Sequence, residues 1–116
     1  MKPTTPPQIS RFLALDASLD LIRSLRTIVK AIRARDSSLA SQLSRAASSV
    51  SLNLAEGRRR EGGDRRRLFV VAAGSAGEVR AALEIANAWG WTSQQETRTA
   101  LQILDRLQRL LGGLTR

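Results

Sequence analysis

The chain contains no cysteine and no histidine among its 116 residues. These two absences exclude disulfides, thiolate chemistry, ordinary zinc sites and the side chain that enzymes most often use as a general base. A metal-independent nuclease that relies on histidine is excluded for the same reason. We therefore expect a protein that is not an enzyme and that holds no cofactor and no metal.

Long apolar runs and late prolines are also absent. No run of 18 or more apolar residues occurs, and the N-terminus lacks the apolar segment of a signal peptide, so we expect a soluble, cytoplasmic protein without a membrane helix. All three prolines lie within the first seven residues. Residues 1–12 are therefore predicted to form a flexible arm, and residues 13–116 to form a single helical domain.

Positive charge, by contrast, is abundant. The formal net charge is +9, and the basic residues are 17 arginines and 2 lysines. Such a charge predicts attraction to polyanions, either RNA or DNA or an acidic partner protein. Arginine makes planar, bidentate contacts with phosphate, whereas lysine acts as a point charge.

Apolar residues recur at spacings of three and four, which predicts four helices. They are expected over about residues 16–35, 37–56 and 64–89, with a fourth helix after a cap at Thr92 or Ser93. The main apolar face of the first helix is predicted to be Leu19, Ile22, Leu25, Val29 and Ile32. Because the connections are short, we expect an all-α, antiparallel, up-down-up-down four-helix bundle.

The third predicted helix contains a run of small residues, Ala72-Ala73-Gly74-Ser75-Ala76-Gly77. Each glycine inside a helix costs about 1 kcal/mol relative to alanine. The favoured explanation is a close approach by another helix, either within one bundle or between subunits. A site for close approach of a ligand is the alternative.

The most basic segment, AEGRRREGGDRRR, lies between the second and third predicted helices. Its six arginines, which we call the arginine cluster, are Arg58, Arg59, Arg60, Arg65, Arg66 and Arg67. A charged run in a loop is often only a solvated surface, and this interpretation stays open. The alternative is a phosphate-binding surface, with contacts to the nucleic-acid backbone and no reading of base sequence.

A polar stripe follows one side of the second predicted helix and has a possible partner on the third. Its members are Arg45, Ser49, Asn53, Glu56 and Glu78. These residues could hold a catalytic pair of carboxylates, but no metal-ligand spacing accompanies them. We therefore favour a hydrogen-bonded network that sets the register of helices or subunits.

Two blocks of the sequence resemble the signature of the bundle proteins encoded in intervening sequences of bacterial 23S ribosomal RNA genes. Residues 42–57 are similar to the family pattern Q-I-R-R-A-A-x-S-I-P-x-N-I-A-E-G, with Ser44 and Ser51 in place of an arginine and the proline. Residues 68–79 are similar to F-L-x-I-A-x-G-S-x-x-E-L, and residues 83–91 to L-x-x-A-x-x-L-G-Y. The resemblance covers about residues 15–112.

The resemblance implies an antiparallel bundle that assembles into a ring, a homopentamer. It also implies a relation to the accessory variability protein of diversity-generating retroelements, which binds nucleic acid and associates with a reverse transcriptase. We therefore expect a basic homo-oligomer that binds RNA or DNA. The alternative is a scaffold protein whose basic face docks an acidic protein or a polymerase.

Overall fold

The computed structural model describes residues 12–116, and within them it contains four α-helices and no strand. The helices are α1 (Leu13–Arg33), α2 (Ser37–Gly57), α3 (Gly62–Ala88) and α4 (Gln94–Leu114). Helices α2 and α4 each pack against both α1 and α3, so the four helices share one core. The prediction of an all-α four-helix bundle is confirmed.

The starts of α2 and α4 follow from their capping residues. The Asp36 side chain accepts a hydrogen bond from the Leu39 backbone at 3.0 Å. Ser93 and Glu96 form a reciprocal capping box, in which each side chain bonds the other's backbone N–H, at 3.0 and 2.6 Å. These two caps agree with the predicted helix starts.

The start of α3 differs from the prediction. This helix was predicted to begin at about residue 64, but α3 begins two residues earlier, at Gly62, and Glu61 occupies the N-cap position without a side-chain bond. Gly62 has a φ of 60°, a conformation that glycine adopts without steric cost. Asp64 instead lies in the first helical turn, where a carboxylate interacts favourably with the helix dipole.

The core consists mainly of leucine, isoleucine, valine and alanine. Helices α2 and α3 each turn one apolar face to the core, and the following residues are buried: Leu39, Leu43, Ala46, Ala47, Val50 and Leu54 on α2, and Phe69, Ala72, Ala76, Val79, Leu83 and Ala86 on α3. On α4, Leu104, Leu107 and Leu111 are buried. In the described part of the chain, every buried side-chain nitrogen or oxygen atom has a hydrogen-bond partner.

The predicted face of α1 is partly wrong. Its core line runs through Leu21, Leu25, Ile28 and Ile32, while Leu19 is exposed and Ile22 and Val29 are half-buried. The buried line is completed by small residues, Ala14, Ala17 and Ser18. Because α1 has apolar residues around more than half of its circumference, periodicity alone does not identify the inner side.

Gly57 has a packing role at the end of α2. It is the last residue of this helix, and it is buried and lies beneath the Phe69 ring. A Cβ atom at this position would lie 2.5 Å from Cε1 of Phe69. The missing side chain therefore lets the end of α2 approach the start of α3.

The predicted N-terminal arm falls almost entirely on residues 1–11, which lie outside the described residues. Phe12 is the N-cap residue of α1, and its ring lies 5.7 Å from the ring of Phe69. Within residues 12–116, no helix has the length and apolar character needed to cross a membrane.

Candidate nucleic-acid interface

The arginine cluster occupies one end of the bundle, where α2 connects to α3. Arg58 is the C-cap of α2, Arg59 and Arg60 lie in the connection, and the remaining three arginines lie in the first two turns of α3. All six residues are exposed. Residues 56–67 contain three carboxylates against six arginines, so this surface has a net charge of +3.

Arg60 is the centre of a local ion-pair network. Its guanidinium contacts Glu56 at 2.6 Å and Asp64 at 3.1 Å, and Asp64 also contacts Arg67 at 3.3 Å. The hydrogen bond and charge of Glu56, with the charge of Asp64, raise the pKa of Arg60 above its ordinary value. Much of the Arg60 charge is thus balanced within the chain.

Arg65 and Arg66 bond the C-terminal ends of the two neighbouring helices. Arg65 donates to the carbonyls of Gly57 and Arg58, at 3.2 and 3.3 Å, at the end of α2. Arg66 donates to the carbonyl of Thr115, at 2.7 Å, at the end of α4. Cations are favourable at helix C-termini, where carbonyls lack helical partners. These two arginines therefore help to hold the end of the bundle together.

Arg58, Arg59 and Arg67 are the remaining exposed members of the arginine cluster. The Arg58 guanidinium lies over the Phe12 ring, 5.6 Å from its centroid. Among residues 12–116, the Arg59 side chain makes no hydrogen bond or ion pair. Arg67 has one contact, to Asp64, and its side chain is 64% exposed. Phe12 was not expected at this site, because it was assigned to the flexible arm.

The members of the predicted polar stripe are only partly brought together. The Asn53 amide donates to the backbone carbonyl and hydroxyl of Ser49, at 2.9 and 3.1 Å. The Ser49 hydroxyl bonds Ser75 of α3 at 2.8 Å, so this group links α2 to α3. Glu56 belongs instead to the Arg60 network.

Arg45 and Glu78 remain apart from that hydrogen-bonded group. Both line an open cavity of about 450 Å³ between α2 and α3, together with Gln42, Ser49 and Ile85. Neither side chain makes an ion pair or hydrogen bond with any described residue. Residues 12–116 contain no group of histidine, cysteine, aspartate or glutamate residues that could hold a metal ion.

Two further features lie away from the arginine cluster. Arg80 of α3 bonds Gln108 at 2.8 Å and pairs with Asp105, joining α3 to α4, a contact that the sequence analysis did not foresee. Lys30, Arg33 and Arg35 are exposed at or just after the C-terminal end of α1. They do not extend the arginine cluster, because the cluster adjoins Phe12 at the opposite end of α1.

The opposite end of α3 carries the two tryptophans. Trp89 and Trp91 stack with ring centroids 5.5 Å apart, and Trp89 is 68% exposed. The connection to α4 is held by Asn87, which bonds both Thr92 and Thr97. Because α3 separates them from the arginine cluster, the tryptophans provide no stacking surface beside it.

Both the fold and the sequence of this chain are similar to those of known proteins. The chain is similar to the crystal structure of a protein of unknown function from the S23 ribosomal protein family of Bacteroides thetaiotaomicron VPI-5482. The TM-score is 0.81 and the identity 16%, over 90% of this chain and 99% of that chain. No curated protein matches the chain. The sequence profile of the 23S rRNA-intervening sequence proteins matches residues 13–113. The chain therefore belongs to the 23S rRNA-intervening sequence protein family.

Proposed function

We propose that this chain is a non-enzymatic protein that binds the phosphate backbone of RNA or DNA through the arginine cluster. The observation that carries the proposal is the exposure of six arginines against three carboxylates at one end of the bundle. A surface of this kind binds nucleic acid by neutralising phosphates and releasing counterions.

The contacts within the cluster divide its members into two roles. Arg59 and Arg67 make the phosphate contacts, because among residues 12–116 the Arg59 side chain has no hydrogen bond or ion pair and Arg67 has one exposed contact, to Asp64. Arg65 and Arg66 bond the ends of α2 and α4 and position the surface. Arg60, paired with two carboxylates, contributes to phosphate binding only if it exchanges those partners.

The assembly state is part of the proposal. We propose that successive helices run antiparallel and that copies of the chain form a ring of five. Ser18 near the start of α1 bonds Ser51 near the end of α2 at 2.8 Å, which supports opposite directions for this pair. A ring would repeat the arginine cluster in every subunit, and the summed charge would strengthen the attraction to a polyanion.

A second candidate function is a scaffold that docks an acidic protein or a polymerase. A relation to the accessory variability protein of diversity-generating retroelements, which associates with a reverse transcriptase, agrees with this candidate. One observation favours it: Arg60 and Arg67 already bind carboxylates within this chain. The same geometry would suit carboxylates of another protein.

The experiment that separates the candidates is a titration of labelled RNA and of labelled duplex DNA. Wild type is compared with a variant in which all six cluster arginines are alanine, between about 50 and 200 mM salt. Phosphate binding predicts a steep salt dependence for wild type and a much shallower one for the variant. Equal binding by two folded proteins, or no binding by either, contradicts the proposal and directs attention to a protein partner.

A further inference from the structure

The two tryptophans of the chain form an aromatic pair that is open to solvent on one side. Their ring centroids lie 5.5 Å apart and their planes differ by only 10°, so the rings are parallel and offset. Trp91 is half-buried and packs against the core, whereas Trp89 is 68% exposed. Trp91 therefore supports Trp89 from within, and Trp89 presents a flat apolar surface to solvent.

The connection that carries both rings is fixed by hydrogen bonds. The Asn87 side chain accepts a bond from Thr92 at 2.6 Å and donates one to Thr97 at 3.1 Å. The capping box of Ser93 and Glu96 follows directly and fixes the start of α4. A ring that is already held in place loses little conformational freedom when a ligand binds to it.

The register between α2 and α3 shows which residues lie near the exposed ring. The Ser49 hydroxyl of α2 bonds Ser75 of α3 at 2.8 Å. Ten residues earlier on α2 and ten residues later on α3, Leu39 and Ile85 line the same cavity. This agrees with the opposite directions proposed for successive helices. Steps toward the start of α2 therefore correspond to equal steps toward the end of α3.

Positive charge lies at the level of the exposed ring. Four residues further in each direction, the same register brings Arg35 of the α1–α2 connection level with Trp89. Among residues 12–116, the Arg35 side chain makes no hydrogen bond or ion pair. With Lys30, Arg33 and Asp36, residues 30–36 have a net charge of +2. An open aromatic surface and an arginine available for an anion thus occur at the same end of the bundle.

This combination suits an unpaired nucleobase with its phosphate. Bases of single strands stack on exposed aromatic side chains, and cations contact the adjoining backbone. A duplex keeps its bases inside its own stack, so their faces are not available to a protein ring. A proline-rich peptide also packs on aromatic rings, but a proline ring carries no charge for Arg35 to contact. The unpaired arginine therefore favours the nucleic acid.

We infer that Trp89, supported by Trp91, is a stacking site for an unpaired base of single-stranded nucleic acid, and that Arg35 contacts the neighbouring phosphate. The inference rests on the proposed binding of nucleic acid and adds a second contact, one that needs an unpaired base. The arginine cluster lies at the other end of α3, whose 27 residues span about 40 Å. The two sites therefore respond separately to substitution.

The first test is tryptophan fluorescence, because both tryptophans of the chain belong to this site. A short oligothymidine is expected to quench the emission of the wild type, and a duplex of the same length is expected to leave it unchanged. The variant with all six cluster arginines replaced by alanine should show the same quenching at a saturating concentration of the oligothymidine. Loss of quenching in that variant would overturn the independence of the two sites.

Three results of the fluorescence titration would overturn the inference itself. The first is no quenching of the wild type by the oligothymidine, and the second is equal quenching by the duplex. The third is equal quenching by thymidine monophosphate at the same concentration, which would assign the ring to free nucleotides. A proline-rich peptide that quenches where the oligothymidine does not would assign it to a protein partner.

The second test compares two alanine variants that each remove an exposed apolar side chain. Trp89 and Leu52 are 68% and 70% exposed, so neither substitution empties the core. Trp89→Ala is expected to weaken binding of labelled oligothymidine by about fivefold or more, and Leu52→Ala to leave it almost unchanged. Trp89→Tyr keeps a flat ring and should retain most of the affinity. Equal affinities of Trp89→Ala and the wild type, with helix content retained, overturn the inference.

The third test separates the phosphate contact from the arginine cluster. Arg35→Ala should reduce the log–log salt slope on the single strand by about 0.7, the value for one phosphate contact, and should leave the slope on duplex DNA unchanged. An unchanged slope on the single strand overturns the role of Arg35. Duplex binding by Trp89→Ala reports on the arginine cluster alone, so failure of one proposal is distinguishable from failure of the other.

Discussion

The two connections that flank α3 differ in how they are built. The α3–α4 connection contains a capping box, a glycine with φ of 76°, stacked tryptophans and the bonds of Asn87. The α2–α3 connection has no side-chain cap at Glu61, and it carries Arg59 and Arg60 and adjoins the other four residues of the arginine cluster. The first connection follows the rules for a stable turn.

The α2–α3 connection departs from those rules, because it leads into a helix whose first turns carry cations. Arg65, Arg66 and Arg67 stand at the N-terminus of α3, where the helix dipole disfavours cations. Arg65 and Arg66 offset this cost by bonding the ends of other helices. Arg67 is compensated only by an exposed contact to Asp64. Local conflicts of this kind are expected at functional sites.

The largest predicted effect concerns the packing beneath the basic connection. Gly57→Val should lower the free energy of unfolding by about 2 kcal/mol, because the new side chain strikes the buried Phe69 ring. Chemical denaturation measures the change. Gly112→Val, at an exposed glycine near the end of α4, serves as the control and should change stability little. Equal effects at the two positions would contradict the packing role of Gly57.

The next effect compares the two N-caps directly. Ser93→Ala should cost about 1 kcal/mol of unfolding free energy, since it removes the bond to the Glu96 backbone. Glu61→Ala should cost close to nothing, because Glu61 makes no side-chain cap. Thermal unfolding of both variants checks the difference. A larger loss for Glu61→Ala would show that the α2–α3 connection is stabilised in another way.

A smaller effect compares a carboxylate within the arginine cluster with one outside it. Asp64→Asn removes a carboxylate that pairs with Arg60 and Arg67, so affinity for duplex DNA at low salt should rise by about threefold. Asp105→Asn removes a carboxylate paired with Arg80 away from the cluster and should leave affinity almost unchanged. Fluorescence anisotropy measures both. Weaker binding by Asp64→Asn would indicate that Asp64 positions the arginines rather than masking them.

The smallest predicted effect is that of pH. The pKa of Arg60 is raised, so its guanidinium stays charged at neutral pH and loses its proton only in strongly alkaline solution. The chain has no histidine or cysteine to titrate near neutrality. Nucleic-acid affinity at constant ionic strength should therefore vary by less than about twofold between about pH 6 and 9. A sharp change in that range would place a different group at the interface.

Much of this fold could be predicted from the sequence because α2 and α4 have clear apolar faces and recognisable caps. The inner side of α1 could not, since Leu19 and Leu21 belong to competing stripes, and buried Ala17 and Ser18 carry little hydrophobic signal. The role of Gly57 depends on Phe69, twelve residues away, and no local pattern reports that contact.

The position of the candidate site could be predicted from the sequence, but the different contacts of its six arginines could not. The run of arginines located the surface, and its charge was visible in the sequence. Which arginines bond helix ends depends on where Gly57 and Thr115 come to lie in space. The separation of Arg45 and Glu78 from the Ser49 network likewise depends on how α2 and α3 pack.

The most direct test of the central claim compares two variants that each lose two positive charges. Arg59→Ala/Arg67→Ala removes arginines from the cluster, and Arg33→Ala/Arg35→Ala removes arginines from the opposite end of the bundle. On duplex DNA, the first should reduce the log–log salt slope by about 1.8, at about 0.9 per phosphate contact, and the second by close to zero. Equal slopes for the two variants would contradict the assignment of phosphate binding to the arginine cluster.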